Sequence, residues 1–198
     1  MTEWIEPAAL PVLQGDEAFN GIDATVADFW RFAMSDLRAN AVRGLLAEFL
    51  VARAVGHTAG RVEWDSHDVT TPSGIRVEVK ASGYLQSWRQ RRLSRIVFSG
   101  LNGQAWPVGG VLADEVTYNA DAYVFAVQTA TTHATYDPLD VAQWQFYVLP
   151  AATVAGTGKG SLSLTAVRAL GAEETPYSRL ATSIEVAGAD ALSQRVKR

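Results

Sequence analysis

The 198-residue sequence predicts a mixed fold of the α/β (or α+β) class. Two segments between residues 23 and 55 carry apolar side chains at helical spacing. Several short segments after residue 64 are β-branched or alternate apolar with polar residues, which is typical of strands. The segment 122–127, Ala-Tyr-Val-Phe-Ala-Val, is apolar throughout and predicts a central strand covered on both faces.

Length and composition indicate a single globular domain, 1–198, without an internal repeat or linker. The hydrophobic content of 48% argues against a disordered chain. The absence of cysteine excludes disulfides, thiolate zinc sites and cysteine nucleophiles. No apolar run reaches the roughly 20 residues of a membrane span, and the acidic N-terminus lacks a signal-peptide pattern. We therefore expect a cytoplasmic protein without a membrane partner.

Charge is unevenly distributed along the chain. The net charge of −4 does not by itself indicate nucleic-acid binding. Residues 1–40 hold seven acids against two arginines, whereas residues 81–100 hold four arginines and no acid. The position of the basic residues is therefore more informative than the total.

The first third of the sequence predicts an irregular arm, 1–22, followed by two helices. The first helix is expected from an N-cap at Asp23 to about residue 37 and is interpreted as a core-packing helix without chemistry. The second is expected over 41–55, with Asn40 as its N-cap and Gly56 as its C′ residue. Apolar residues occur on nearly all sides of this second helix, which predicts that it is buried.

Glu48 is the exception on the second helix. Its neighbours one turn away are Gly44 and Ala52, which leave space for another group to approach the carboxylate. An unpaired buried charge is costly, so Glu48 requires a cationic partner or a metal ion. A structural salt bridge with Arg43 or Arg53 is the alternative to a functional role.

The segment from residue 64 to 81 predicts a β-hairpin with a turn at Pro72-Ser73-Gly74. If Thr71 pairs with Ile75, then Asp68 lies opposite Glu78. Like charges directly opposite each other are destabilising, and a divalent metal ion between them would resolve the conflict. A solvated sheet face is the alternative, and a slip of one residue would separate the two acids.

The stretch after Lys80 is polar, basic and aromatic. Arginine binds phosphates and aromatic rings stack on bases, so this loop suits a surface that faces nucleic acid. The candidate binding residues are Arg89, Arg91, Arg92 and Arg95. A solvated arginine-rich loop is the alternative interpretation.

The remaining elements are weaker predictions. Strands are expected over 95–99, 122–127, 143–149 and 161–167, with a long loop over 100–119 and a weak helix over 177–187. The last dozen residues are expected to fray. This places the core at about 22–150 and leaves 150–198 as a C-terminal extension.

A helix with one glutamate, a hairpin with an aspartate and then Glu-x-Lys occur in the order Glu48, Asp68, Glu78 and Lys80. This order resembles the PD-(D/E)XK nuclease superfamily, the restriction-endonuclease-like fold, over about residues 40–150. His67 stands where the motif has proline. The resemblance implies a central mixed β-sheet flanked by helices, with the acids and the lysine at one end.

The resemblance also implies Mg²⁺- or Mn²⁺-dependent hydrolysis of phosphodiester bonds. Asp68 and Glu78 would bind the metal, and Glu48 would assist them or bind a second ion. Lys80 would position or help deprotonate the attacking water. Ser82 and Gln86 are candidates for contacts to phosphate or water.

The sequence thus predicts a metal-dependent nuclease, with DNA as the expected substrate, in defence or repair. A non-catalytic module that binds nucleic acid or protein on the same fold is the alternative. Cleavage of both strands would favour a homodimer on symmetry grounds.

Overall fold

The computed structural model describes residues 11–61, 66–104 and 116–197. The chain divides into two compact units, Met1–Ser35 and Asp36–Arg198. None of the described helices is long and apolar enough to cross a membrane.

The first unit contains helix α1, Val26–Met34. Its N-cap is Thr25, because the Thr25 side chain and Asp28 form a reciprocal capping box in which the Thr25 amide donates to Asp28 over 2.9 Å. The predicted N-cap, Asp23, is therefore wrong by two residues. The prediction of a core-packing helix is also wrong, since none of its residues is buried and Phe32 is 86% exposed. Helical spacing of apolar residues shows that a face is apolar, but it does not show what covers that face.

The second unit contains four helices and nine strands among its described residues. Their bounds are α2 Asn40–Ala54, β1 Val69–Thr70, β2 Arg76–Gly83, β3 Val97–Ser99, β4 Gly103–Gln104, β5 Val116–Thr117, β6 Ala122–Gln128, β7 Trp144–Pro150, α3 Ala151–Ala155, β8 Ser161–Ser163, α4 Leu164–Ala169, β9 Glu174–Thr175 and α5 Leu180–Val196.

Five of these strands form the central sheet, in the order β1-β2-β6-β7-β9. Strands β2 and β6 are parallel, and every other neighbouring pair is antiparallel. Helices pack against this mixed sheet, so the predicted fold class is confirmed. Two further ladders pair β3 with β8 and β4 with β5.

Strand β6 is the centre of the sheet and all seven of its residues are buried. Alternate side chains enter two separate hydrophobic clusters, because successive side chains of a strand point to opposite faces. Val124 packs with residues of α2 and α5, whereas Tyr123 and Phe125 pack with β3, β8 and α4. The prediction of a doubly covered central strand is confirmed.

Helix α2 covers one face of the sheet near β1 and β2. Its N-cap is Ala39, not the predicted Asn40, and no side chain caps it. Gly56 has φ +75° and follows the helix as predicted, and its amide donates to Arg53 O. The helix is not buried on all sides, since Phe49 is 57% exposed. Only the stripe that meets the sheet is covered.

The hairpin register was predicted correctly. Val69 pairs with Val77 and Thr70 pairs with Arg76 across β1 and β2. The Thr71 amide donates to Ile75 O over 2.9 Å and closes the turn. Strand β2 extends through Gly83, two residues beyond the hairpin predicted from the sequence.

The predictions after residue 95 hold in part. The strands at 95–99 and 143–149 correspond to β3 and β7, but the predicted loop 100–119 contains the β4–β5 ladder. The predicted strand 161–167 ends after β8, because the Ser163 side chain accepts a hydrogen bond from the Ala166 amide and starts α4.

The prediction that the last dozen residues fray is wrong for the described ones, as α5 continues to Val196. Leu180 and Ile184 of α5 lie in the core, and Gly188 lies directly against Ile75. Residues 150–198, which the sequence assigned to a C-terminal extension, therefore contribute strand β9 to the central sheet. They also contribute helix α5, which packs against that sheet. The sequence does not show this, because α5 mixes apolar and polar residues without a clear face.

Candidate active site

The alternation of β2 determines which side chains reach the site. Val77 and Val79 are buried in the cluster with α2 and α5. Glu78 and Lys80 point to the opposite face, in register with Tyr123 and Phe125 of the parallel neighbour β6. One strand thus provides a core face and a polar face, as its sequence predicts.

Glu78 and Lys80 form an ion pair between Oε1 and Nζ. Both side chains are largely covered, with 15% and 21% of their surfaces exposed. The pair lies on the sheet face that also carries Tyr123 and Phe125 of β6. A charged pair at a partly buried position is more strongly coupled than one in open solvent.

Asp68 precedes β1 and is held against β2 by its backbone and its side chain. Its amide donates to Val77 O over 3.0 Å, and its Oδ2 accepts a hydrogen bond from the Val79 amide over 2.7 Å. Continuing the observed register places Asp68 opposite Glu78.

Glu48 projects from α2 and is 15% exposed. It accepts a hydrogen bond from Arg61 Nε over 2.6 Å, and this ion pair was not predicted. The alternative partner Arg43 instead donates to the carbonyl oxygens of Arg38 and Leu85. Arg61 follows the helix by several residues in an irregular segment, so no periodic signal in the sequence marks it.

The three carboxyl groups influence one another. Burial raises the pKa of Glu78 to about 7, and the charge of Asp68 adds to this effect while Lys80 opposes it. Burial and then the charge of Asp68 also raise the pKa of Glu48, against the opposing effects of Arg61 and Lys80. Residues from α2, β2 and the segment before β1 therefore form one electrostatic group.

Tyr123 and Gly100 form part of the same surroundings and were not predicted. Tyr123 is 1% exposed, and its hydroxyl donates to Leu101 O over 2.6 Å. Burial raises the pKa of Tyr123, and the charge of Glu78 contributes. A Cβ at Gly100 would lie 3.9 Å from Lys80 Nζ. Both residues lie beside the site through strand pairing and packing, which the sequence does not display.

The donor chemistry of this site suits a hard divalent cation. Across residues 11–61, 66–104 and 116–197, no group of three or more His, Cys, Asp or Glu side chains is already arranged to hold a metal ion. Each of the three carboxylates has one oxygen paired, with Arg61, the Val79 amide or Lys80. The other oxygen of each accepts no hydrogen bond from a described residue. Mg²⁺ requires only one or two protein carboxylates beside water and phosphate, so Asp68 and Glu78 fit it.

The predicted phosphate contacts Ser82 and Gln86 differ in their surroundings. Ser82 is partly buried on β2, on the face of Glu78 and Lys80 by alternation. Gln86 is 7% exposed, and its side-chain nitrogen donates to Gly83 O and to Ser94 Oγ, both at 3.1 Å. Gln86 thus holds the loop together, and its contact to substrate stays a prediction.

The arginine-rich loop presents its cations to solvent. Its four arginines are exposed and form no ion pair with any residue that the structure describes: Arg89, Arg91, Arg92 and Arg95. With Trp88, which is 56% exposed, they line an open depression of about 490 Å³. Exposed, unpaired arginines beside an aromatic ring fit the predicted nucleic-acid surface, although their function stays a prediction.

Arg43 connects this loop to α2 and was not predicted to do so. It is 2% exposed, and its Nη2 donates at 2.6 Å to both Arg38 O and Leu85 O. Its guanidinium group lies 3.1 Å from where a Cβ on Gly83 would be, so a larger residue would displace it. A buried arginine thus connects the helix of Glu48 to the start of the arginine-rich loop.

Comparison with models of known protein families places the chain among endonucleases. It belongs to the family of bacteriophage T4 endonuclease IV, whose model matches residues 24–165. This segment contains Glu48, Asp68, Glu78, Lys80 and the four loop arginines. Family membership supports a nuclease, and therefore hydrolase, activity, whereas membership of the PD-(D/E)XK superfamily stays a prediction. No curated protein sequence matches the chain.

Proposed function

We propose that the chain is a Mg²⁺- or Mn²⁺-dependent endonuclease that hydrolyses phosphodiester bonds of DNA in defence or repair. The observation that carries this proposal is the convergence of Glu48, Asp68, Glu78 and Lys80 from three parts of the chain. The endonuclease family match and the exposed arginines of the neighbouring loop support it. A binding protein has no evident need for three mutually repelling carboxyl groups.

Asp68 and Glu78 would hold the metal ion, and Glu48 would complete or extend the site. When bound, a divalent ion would neutralise charge on the phosphate and lower the pKa of a water molecule. Asp68 is oriented by the Val79 amide, so its free oxygen has a fixed direction. Burial is the main cause of the raised pKa of Glu78, and the charges of Asp68 and Glu48 add to it, so a bound cation would stabilise the ionised carboxylate.

Lys80 is placed to act on water or phosphate. Its pairing with Glu78 keeps the ammonium group beside the carboxylates, and Gly100 leaves the space next to Nζ without a side chain. From there Lys80 would orient the attacking water and offset charge on the phosphate. The loop arginines would hold the DNA backbone.

The test is cleavage of plasmid and single-stranded DNA with Mg²⁺ or Mn²⁺. Glu78→Gln and Lys80→Ala should each reduce the rate by at least about 10²-fold, because each removes a group that acts on the reacting phosphate. Glu173→Gln and Lys159→Ala are matched controls at exposed positions and should cleave normally. Metal-dependent cleavage that survives both site variants would refute the proposed site.

Metal binding can be measured without cleavage. Adding Mg²⁺ should raise the melting temperature of the wild type, because a ligand that binds only the folded state stabilises it. Asp68→Asn should reduce this shift, whereas Glu173→Gln should not. Salt-sensitive DNA binding with neither cleavage nor a metal-dependent shift would instead establish the non-catalytic binding module.

A further inference from the structure

A second basic depression lies between the start of β3, β8 and α4. It has a volume of about 550 Å³, and its lining includes Tyr84, Arg95, Thr165 and Arg168. None of the described residues that line it is acidic. Arg95 also lines the depression of the arginine-rich loop, so the two basic surfaces are continuous.

Arg168 is held in place by its contact with a buried tyrosine. Its Nη2 donates a hydrogen bond to the hydroxyl of Tyr147, and its guanidinium carbon lies 5.2 Å from the centre of that ring. The arginine itself is exposed. A cation fixed by a hydrogen bond and a ring contact loses less freedom on binding an anion than a mobile one. Glu174 is near enough to influence Arg168, but it pairs with Gln145.

Strand β3 connects this depression to the candidate active site. Gly100 lies beside Lys80, and Arg95 precedes it by five residues on the same extended segment. Five extended residues span at most about 17 Å. A nucleic-acid duplex rises about 3.4 Å per base pair, so the depression is within roughly five nucleotides of Lys80.

We propose that this depression is a second nucleic-acid contact, in which Arg95 and Arg168 bind phosphates that flank the scissile bond. Tyr84 supplies an aromatic surface beside them. The proposal rests on the proposed function, and it adds a contact whose fixed arginine lies beyond the segment 24–165 matched by the family model. It also predicts that substrate binding extends along β3, away from the metal-binding carboxylates.

The test introduces a negative charge without removing a described contact. Thr165 is exposed in the first turn of α4, and Thr165→Glu should oppose phosphate there. Thr182→Glu is the matched control, since Thr182 is exposed in the first turn of α5 and does not line this depression. Both proteins are measured by fluorescence anisotropy with a labelled 25-base-pair DNA in EDTA, at several salt concentrations.

Thr165→Glu should weaken binding by at least about fivefold, and Thr182→Glu should bind like the wild type. Arg168→Gln should reduce the slope of log K against log salt by about one. Thr165→Glu retains both Arg168 and Tyr147, so its result does not depend on whether Arg168→Gln folds.

The outcomes separate this proposal from the proposed function. Affinity and salt slope equal to the wild type for Thr165→Glu would overturn the second contact, even if the protein cleaves DNA. Weakened binding without metal-dependent cleavage by the wild type would support the contact and reject the nuclease. Absence of any DNA binding by the wild type would overturn the contact.

Discussion

The carboxylate of Asp68 accepts a hydrogen bond over 2.7 Å from the amide of Val79, the residue between Glu78 and Lys80. This bond fixes Asp68, the residue before the first strand of the hairpin, to the centre of the Glu-x-Lys segment. The side chain thus has both a structural and an electrostatic role, since its charge also raises the pKa of Glu78. The two roles can be separated by substitution.

Asp68→Asn should keep the fold and lose cleavage. The amide oxygen of asparagine can still accept the hydrogen bond from Val79, but the charge that would bind a cation is gone. Asp68→Ala should in addition destabilise the protein by about 1–3 kcal/mol, because the Val79 amide loses its partner. Urea unfolding and DNA cleavage measured on both variants check this. Equal stability losses for the two variants would contradict the structural role.

Stability in EDTA should fall as pH rises from about 5 to 8. The pKa of Glu78 is raised to about 7 in the folded protein, so the folded state binds a proton that the unfolded state has already released. The resulting loss of folding stability is absent below the pKa of Glu78 in the unfolded chain and complete above its pKa in the folded protein. It amounts to at most about 3 kcal/mol. Urea unfolding at several pH values measures it.

Glu78→Gln should flatten this pH dependence and raise stability at pH 8. The raised pKa of Glu48 acts in the same direction and should leave a smaller residual slope. Glu173→Gln, at an exposed position, should retain the wild-type profile. If the stability of Glu78→Gln depends on pH as the wild type's does, Glu78 is not the group that causes the pH dependence.

Gly188→Ala should destabilise the protein by about 1–3 kcal/mol. A Cβ at this position of α5 would lie 2.4 Å from Ile75 Cγ2, and Ile75 is buried in the core. Gly44→Ala is the matched control, since Gly44 is within α2 and a Cβ added there would meet no described atom within 4 Å beyond its chain neighbours and the backbone of its own helix. That variant should gain about 0.5–1 kcal/mol from helix propensity. Melting temperatures of the two variants should shift in opposite directions.

Arg43→Lys should loosen the arginine-rich loop. A lysine keeps the charge, but it cannot reproduce the planar fork that reaches Arg38 O and Leu85 O together. Limited trypsin digestion should therefore cut between residues 89 and 95 faster than in the wild type. Arg53→Lys, at an exposed position of the same helix, provides the control and should be cut at the wild-type rate.

Arg91→Ala combined with Arg92→Ala should weaken DNA binding and reduce its salt dependence. Two phosphate contacts contribute a slope of about two in log K against log salt for duplex DNA. Arg179→Ala removes an exposed arginine outside the loop and should have little effect. Unchanged affinity of the double variant would remove these two residues from the nucleic-acid surface.

The sequence alone determined the hairpin register, the two faces of β2 and the central strand β6. The register and the faces follow from a turn at Pro72-Ser73-Gly74 and from side-chain alternation, and β6 follows from its continuous apolar run, so each is a local property of the sequence. The order of Glu48, Asp68, Glu78 and Lys80 was also visible. Their proximity in the structure follows from the packing of α2 against β1 and β2.

Tertiary structure alone decided the partners of these residues. Arg61 pairs with Glu48, Arg43 holds the arginine-rich loop, and α5 completes the core through Gly188. None of these contacts has a periodic signal, because each joins residues whose spacing is set by irregular segments or by distant elements. The sequence therefore predicts candidate groups for the chemistry, whereas packing decides their partners, their burial and the raised pKa of Glu78.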